Sequence, residues 1–467
     1  MRNVASFRSL LKSRATPLIV ATALLMENID STVLSTSLPR IASDLQTSPI
    51  RLKLALTSYL LALAIFIPAS GWAADRFGAR RVFRWAIGIF ACGSIACGAS
   101  VSLGWLVAAR VLQGLGGSMM VPVGRLIVLR VTPKAGLVGA LAWLTVPALI
   151  GPVIGPPLGG FITTFFDWRW IFWINIPIAI LGVTLVTMFI PRPAPGTSQN
   201  FDFFGFLMAG PGLAAFLTGL TLAGLNLASN AMIVVMTLGG LGLIALYVRH
   251  ALRKADPLVD LRLLHYKTFR ISALGGTFFR VGGGALPFLL PLLFQLGFGL
   301  SPFQSGMMTF ASGLGAILMK FIAQPILQRW GFRTVLSANA LLSALFILAP
   351  ASFTASTPYL WMVLVLFLGG VCRSLQFTSI NAMAYADIPA DRLSSATSFN
   401  AVLQQLSGSV GITVAAFGLQ AAQSIYGGGE IIAAHFPMVF ALSATLSLLS
   451  AVWFARLDRR SGESLLA

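Results

Sequence analysis

Long apolar runs alternate with short polar breaks along this chain, and the runs have the length of membrane crossings. A hydrocarbon core about 30 Å thick needs roughly 20 apolar residues per helix. Fourteen segments qualify, near 16–37, 54–74, 82–102, 105–129, 137–163, 169–190, 203–225, 230–248, 271–297, 303–326, 332–352, 358–385, 394–423 and 434–455. A proline-rich polar break at 191–200 follows the sixth run, and a longer charged loop at 249–270 follows the eighth. The pattern predicts an all-α polytopic membrane protein. Its six-helix halves, 1–190 and 266–467, flank a linker, 191–265, that carries two extra helices. The first run follows Arg2, Arg8, Lys12 and Arg14. It is too long for a signal-peptide core and no clean cleavage site follows, so it reads as an uncleaved first span.

Two stretches repeat. Gly71-x-x-x-Asp75-Arg76-x-Gly78-x-Arg80-Arg81-Val82 lies between the second and third spans. Gln324-x-x-x-Gln328-Arg329-x-Gly331-x-Arg333-x-Val335 lies between the tenth and eleventh. Arg, Gly, Arg and Val recur at the same spacing. Arg110-x-x-Gln113 in the fourth span likewise matches Arg373-x-x-Gln376 in the twelfth. Two matches in the same order and topology predict a parallel repeat of six-helix halves about an axis along the membrane normal, with a site at their interface near the midplane.

Composition and charge narrow the class. The chain is 57% hydrophobic and 10% charged, against about 45–50% and 25% in soluble domains, which excludes a single soluble core. The net charge of +19 would point to nucleic acid in a soluble protein, but no basic helix, zinc-finger spacing or RNA-binding aromatic signature is present. Placing the N-terminus inside and alternating puts 23 Lys and Arg on the inner side, 4 on the outer side and 5 within spans. That asymmetry predicts cytoplasmic termini and accounts for the charge. Cys92, Cys97 and Cys372 lie in apolar stretches and the three histidines are scattered, so neither a disulfide framework nor a metal site is expected. No phosphate loop, His-Glu-x-x-His or Gly-x-Ser-x-Gly is present, and Gly114-x-Gly116-Gly117 lies within a span as a packing feature. An enzyme and an ATP-driven pump are both disfavoured.

Of 13 acidic residues only Glu27 and Asp30 fall in the middle of a span, three apart on one helix face. A charged acid at the bilayer centre costs about 2.5–3.5 kcal/mol even on the lenient insertion scale. Such a pair is a candidate to carry protons, to attract a cationic substrate, or to form a fixed ion pair with Arg110. Among the other embedded bases, Arg125 and Lys320 are placed to snorkel toward the membrane surface. Arg280 lies deeper, as the counter-ion of Glu27 or the holder of an anionic or zwitterionic substrate. Asn175, Gln295, Asn339, Asn381, Asn400, Gln404 and Gln405 are polar residues that either line a cavity or bond helix to helix. Gly151, Gly155 and Gly159 recur every fourth residue, which lets helices approach closely. Pro152, Pro156 and Pro157 among them favour a bend.

These motifs resemble those of the major facilitator superfamily. Gly71 to Arg81 looks like its motif A, Arg110-x-x-Gln113-Gly114 its motif B, and Gly151-Pro152-x-x-Gly155-Pro156-Pro157-x-Gly159-Gly160 its antiporter motif C. Asp30-Ser-Thr-Val-Leu with Leu38-Pro39, Trp168-Arg169-Trp170 through Asn175 to Pro177, and Pro257-Leu-Val-Asp260-Leu-Arg262 are similar to the fourteen-helix drug:proton antiporters typified by EmrB and QacA. Met120-Val-Pro-Val-Gly-Arg125 is similar to the MdtD-type group of that branch.

The resemblance covers nearly the whole chain. It implies proton-coupled efflux of hydrophobic or cationic compounds by alternating access, with export of a specific metabolite or anion as the alternative. It implies proton coupling at Asp30 and Arg110, with Glu27 beside them. A weaker substrate-cavity set is Arg280, Arg373, Asn175 and Gln404. Motif A (Gly71, Asp75, Arg76, Gly78, Arg80) implies a latch against the start of span thirteen near Ser394. The Gln328 copy implies a weaker latch or none. Motif C (Gly151, Pro152, Gly155, Pro156, Gly159) implies a sliding gate. No cofactor is expected, and the partners are a small molecule, protons and membrane lipid, with no nucleic acid. A monomer in a bacterial inner membrane is expected. Some members of that branch work with a periplasm-spanning adaptor and outer-membrane channel, and the sequence carries no mark for or against one.

Overall fold

Hydrophobicity without periodicity makes helices that are buried all round, in lipid or in protein, and helices are what this chain forms. The computed structural model describes residues 2–47, 49–191, 200–225, 229–426 and 431–466. Most of the break expected at 191–200 lies outside the described residues, as do the side chains of Leu38, Pro39, Pro152, Pro156 and Pro157. The helices are α1 (Arg2–Asp44), α2 (Pro49–Phe66), α3 (Ser70–Phe77), α4 (Ala79–Gly98), α5 (Leu103–Val131), α6 (Leu137–Phe165), α7 (Trp170–Trp173) and α8 (Asn175–Phe189). Then come α9 (Phe203–Leu225), α10 (Asn230–Arg253), α11 (Lys267–Gly284), α12 (Leu286–Leu292), α13 (Pro302–Leu348), α14 (Tyr359–Met383), α15 (Leu393–Tyr426) and α16 (Phe436–Phe454). No strand occurs among the described residues. Twelve helical stretches among them are long and apolar enough to cross a membrane.

The breaks have local causes. The Ser102 hydroxyl caps α5 by accepting from the Trp105 amide at 3.3 Å. Ser301 and Gln304 form a reciprocal capping box at the start of α13. Gly78 separates α3 from α4 with φ 85° and ψ 129°, and its repeat mate Gly331 interrupts α13 with φ 71° and ψ 161°. Side chains avoid that region of backbone space and glycine does not. The two copies of the repeat therefore turn at the same residue in the same way, and the stretch Gln304–Ser352 is two helical segments about Gly331.

Within the first half α1 packs on α6, α4 on α5 and α2 on α5. Within the second, α13 packs on α14, and α11 on α15 and α16. α9 and α10 pair with each other, and α9 also leans on α2 and α15. Their ends are clipped by Asp202, which accepts from Lys254 Nζ at 2.7 Å and faces His250 Nε2 at 2.9 Å. Burial raises the cost of the Asp202 charge, yet Lys254, His250 and the Gly205 amide together hold its carboxyl below the ordinary value.

The halves meet along α15, which touches α3 and α5, and along α13 and α14, which touch α6. Segments before α4, after α5, after α14 and at the C-terminus gather at one end of the bundle. There Lys134 Nζ donates to the Ala386 carbonyl at 3.0 Å, and Lys267 Nζ to Asp458 at 2.7 Å. The opposite end holds Asp44, which accepts from Trp168 Nε1 and from Arg169 NH1, each at 2.9 Å. Those two bonds hold the Asp44 carboxyl below its usual range.

Candidate functional site

Asp30 sits at the centre of a buried polar network in the first half. Its carboxylate accepts from Arg110 NH1 at 2.5 Å, from Gln113 Nε2 at 2.7 Å and from Asn175 Nδ2 at 2.9 Å. Asp30 is 2% exposed and Arg110 0%. The donors come from α5 and α8, so a carboxylate on α1 ties three spans together. Arg110 also donates to Gln113 Oε1 at 2.6 Å and to the Ala55 carbonyl at 3.2 Å, and its guanidinium lies 4.3 Å from the centre of the Tyr59 ring. Ser94 Oγ accepts from Gln113 at 2.8 Å. Buried polar groups are stable when satisfied in this way.

Glu27 lies one turn away on α1. Its Oε2 and the Tyr59 hydroxyl are buried without a hydrogen-bond partner among the described residues. Of the two span-one acids, Asp30 is paired with a base, and Glu27 has no basic partner among the described residues.

The motif C glycines set the position of this segment of α1. A Cβ on Gly151 would stand 2.5 Å from Asn28 Cβ, and one on Gly155 would stand 2.0 Å from Thr32 Oγ1. Thr32 Oγ1 donates to the Gly151 carbonyl at 3.1 Å. The glycines thus seat α1 against α6 on either side of Asp30. α6 is helical throughout Leu137–Phe165.

A second polar cluster bridges the halves. Arg125 of α5 reaches the Tyr385 hydroxyl and Gln404 Oε1, each at 3.5 Å. Arg280 NH2 of α11 reaches Asn400 Oδ1 at 3.4 Å. Asn400 Nδ2 donates to the Tyr385 hydroxyl at 2.9 Å, and Gln404 Nε2 to Asn381 Oδ1 at 3.2 Å. Arg125 is 5% and Arg280 7% exposed. Lys320, also buried, donates to Thr378 Oγ1 at 2.7 Å. Neither Arg125 nor Lys320 snorkels: each turns inward to a polar group on the second half. Among the described residues Arg280 has no acidic partner, so it is not the counter-ion of Glu27.

The set expected to line one cavity is divided. Asn175 belongs with Asp30, and Gln404 with Arg125 and Arg280. Arg373 donates to Ser312 Oγ on α13, apart from both. Its neighbour Gln376 accepts from Asn339 Nδ2 at 2.8 Å and donates to the Leu336 carbonyl at 3.0 Å. Tyr59, Ser94 and Tyr385 join these clusters without having been singled out in the sequence. A tyrosine or serine in an apolar span has no signature of its own.

The motif A residues lie where the halves meet. Asp75 accepts from Arg130 NH2 at 2.9 Å and from the Ser394 hydroxyl at the start of α15. A Cβ on Gly71 would stand 2.9 Å from the Ser394 carbonyl, so the small residue admits α15. Ser398 donates to the Ile67 carbonyl at 3.0 Å one turn further on. Arg80 donates to the Thr187 carbonyl. In the second copy Gln328 donates to the Leu466 carbonyl at 3.4 Å, within its own half.

Known proteins share this fold and sequence. The family model described as Major Facilitator Superfamily matches residues 20–249 and 272–466. The protein called "Putative multidrug resistance protein MdtD" of Salmonella heidelberg (strain SL476) is 38% identical over 449 residues, covering 96% of this chain and 95% of that one. Its namesake in Salmonella typhimurium (strain LT2) has the same identity and coverage. Among solved structures, the human organic anion transporter MFSD10 superposes with a TM-score of 0.67 at 18% identity, covering 95% of this chain and 99% of that one. The proton:xylose symporter XylE does so with a TM-score of 0.68 at 14% identity, covering 97% and 98%. At such identities these two show the fold alone.

Proposed function

The chain belongs to the major facilitator superfamily, a family of transporters and not of enzymes, and on that premise we propose that it exports a small molecule in exchange for protons by alternating access. The observation that carries this reading is the Asp30–Arg110 pair. Proton binding to Asp30 would leave Arg110 as an unpaired buried cation, and breaking a buried pair in that way costs about 3–5 kcal/mol. The network therefore has two arrangements, one per protonation state of Asp30, and a proton taken up there biases the packing of α1, α5 and α8. Moving one charge through 100 mV yields about 2.3 kcal/mol, enough for one or two protons to sustain a useful gradient.

The spans number fourteen in this reading: the stretch about Gly331 counts twice, and the 29-residue α6 adds one to the helices that pass on length and hydropathy. Six spans form each half and α9 and α10 form the linker. By the positive-inside count both termini face the cytoplasm of a bacterial inner membrane. The end closed by Asp75 and Ser394 is then cytoplasmic, and the conformation opens outward. Motif A latches this state and the motif C face slides during exchange. The transporter acts as a monomer without a cofactor.

The substrate is a hydrophobic or cationic compound in the first form of this reading, in line with the multidrug name of the relatives. A second form, export of an anionic metabolite, is favoured by Arg125 and Arg280, two buried bases with no acidic partner among the described residues. Reconstituted vesicles with an imposed pH gradient test the reading, with ethidium and benzoate as probes. Gradient-driven movement of either, lost in Asp30→Asn, supports it. Movement of neither, or movement indifferent to Asp30, contradicts it.

A further inference from the structure

Two buried guanidinium groups with no carboxylate between them are costly unless something else supplies the negative charge. Arg125 and Arg280 come from opposite halves and are separated by a single hydrogen bond, that of Asn400 to Tyr385. The bonds they make are long, at 3.4 to 3.5 Å, and all go to neutral oxygens. Charge-assisted bonds of a satisfied arginine run nearer 2.7–2.9 Å. Arg280 also keeps two donors, Nε and NH1, buried with no partner among the described residues. NH2 is common to both edges of the planar fork, with Nε on one side of it and NH1 on the other, so exchange of its long bond to Asn400 for an oxyanion would complete two parallel bonds with either open donor. Gly276, one turn earlier on α11, leaves room for NH1: a Cβ there would stand 3.1 Å from Arg280 NH1. Lys320 adds a third buried cation, donating to Thr378, which shares a face of α14 with Asn381.

We propose that Arg125 and Arg280 form a subsite for the oxyanion, carboxylate or phosphate, of a small organic anion that the protein carries, with Tyr385, Asn400 and Gln404 orienting the two forks. The proposal rests on the transporter reading and specifies the substrate class of its second form. Because the two arginines sit on opposite halves, one anion bridging them draws the halves together, and its release lets them part.

The test is direct binding to the purified full-length protein in detergent, measured by calorimetry with succinate, benzoate and phenyl phosphate, and with benzamide as the uncharged counterpart of benzoate. The expected result is binding of at least one anion and none of benzamide, weakened about tenfold or more in Arg280→Gln and in Arg125→Gln through loss of a charge-assisted pair. Arg280→Lys, which keeps the charge and loses the fork, falls between wild type and Arg280→Gln. An unchanged size-exclusion profile and melting temperature in Arg280→Lys secure the fold for that comparison. Binding equal in wild type and all three variants, or no anion bound by wild type, overturns the proposal. Repeating the titration with phosphatidylglycerol present separates the sources: anion binding abolished by the lipid assigns the site to a lipid headgroup and overturns the substrate subsite. Binding is read without transport. Arginine-dependent binding without gradient-driven movement upholds the subsite and contradicts the exporter, and movement without arginine-dependent binding does the reverse.

Discussion

Asp30 and Arg110 stand 2.5 Å apart in the interior of the first half, with both side chains essentially unexposed. They are 80 residues apart in the chain, and the charge of each is tolerable only because the other is present. Removing one partner leaves the other as a buried, uncompensated ion, while removing both charges together does not.

Arg110→Ala is therefore expected to lower stability by about 3–5 kcal/mol. Asp30→Asn, which leaves the Arg110 cation unpaired in its turn, is expected to cost a similar amount. The double variant Asp30→Asn with Arg110→Ala is expected to be more stable than Arg110→Ala alone. Thermal unfolding of the four proteins in detergent checks this, and a double variant as unstable as the sum of the two singles contradicts it.

The close seating of α1 on α6 makes a second expectation. Gly155→Ala places a methyl group where Thr32 Oγ1 already stands, and overpacking of this kind typically costs about 1–3 kcal/mol. Gly88→Ala is the control, since a Cβ there has nothing within 4 Å. Melting temperatures should fall in Gly155→Ala and stay unchanged or rise slightly in Gly88→Ala. Equal effects would remove the steric account of the glycine face.

The latch at Asp75 is expected to hold one end closed. Asp75→Asn weakens its bonds to both Arg130 and Ser394 and should shift the population toward opening at that end. Spin labels at Ala135 and Gln324, whose backbone and side chain lie within hydrogen-bond reach across the halves, report it. The distance distribution should lengthen in Asp75→Asn, and one that matches wild type argues that Ser398 and Lys134 close the end without Asp75.

Asp202 gives a pH-dependent expectation. Its carboxyl lies below the ordinary value of 3.8 in the folded protein, so the clip between α9 and α10 contributes stability above that pH. The contribution is lost as pH falls through the depressed folded value. The stability difference between wild type and Asp202→Asn should be constant from neutral pH down to about 4 and shrink below that. A difference that grows on acidification reverses the sign and contradicts the assignment.

The architecture was legible because hydropathy and glycine are local signals. Runs of apolar length marked the spans, and Gly78 with Gly331 marked the repeat before their shared backbone turn was visible. Asp30 and Arg110 were legible as costly residues in hydrocarbon. Their arrangement was not, because the partners come from four separate helices and nothing in a sequence gives helix rotation. Arg125 shows the limit. Depth along α5 suggests snorkelling, but the side chain points across the interface to Tyr385, and only the packing of α15 against α5 decides that. Asn175 was placed with the cavity residues for the same reason, and it serves Asp30 instead.

Proton coupling through Asp30 is the central claim, and proton release from the purified protein tests it most directly. Wild type, Asp30→Asn and Glu27→Gln are placed in weakly buffered detergent solution with a pH indicator, and ethidium, benzoate or succinate is added. Release by wild type that is lost in Asp30→Asn is the expected result. Release of the same size in Asp30→Asn contradicts the account and moves the exchangeable proton away from Asp30.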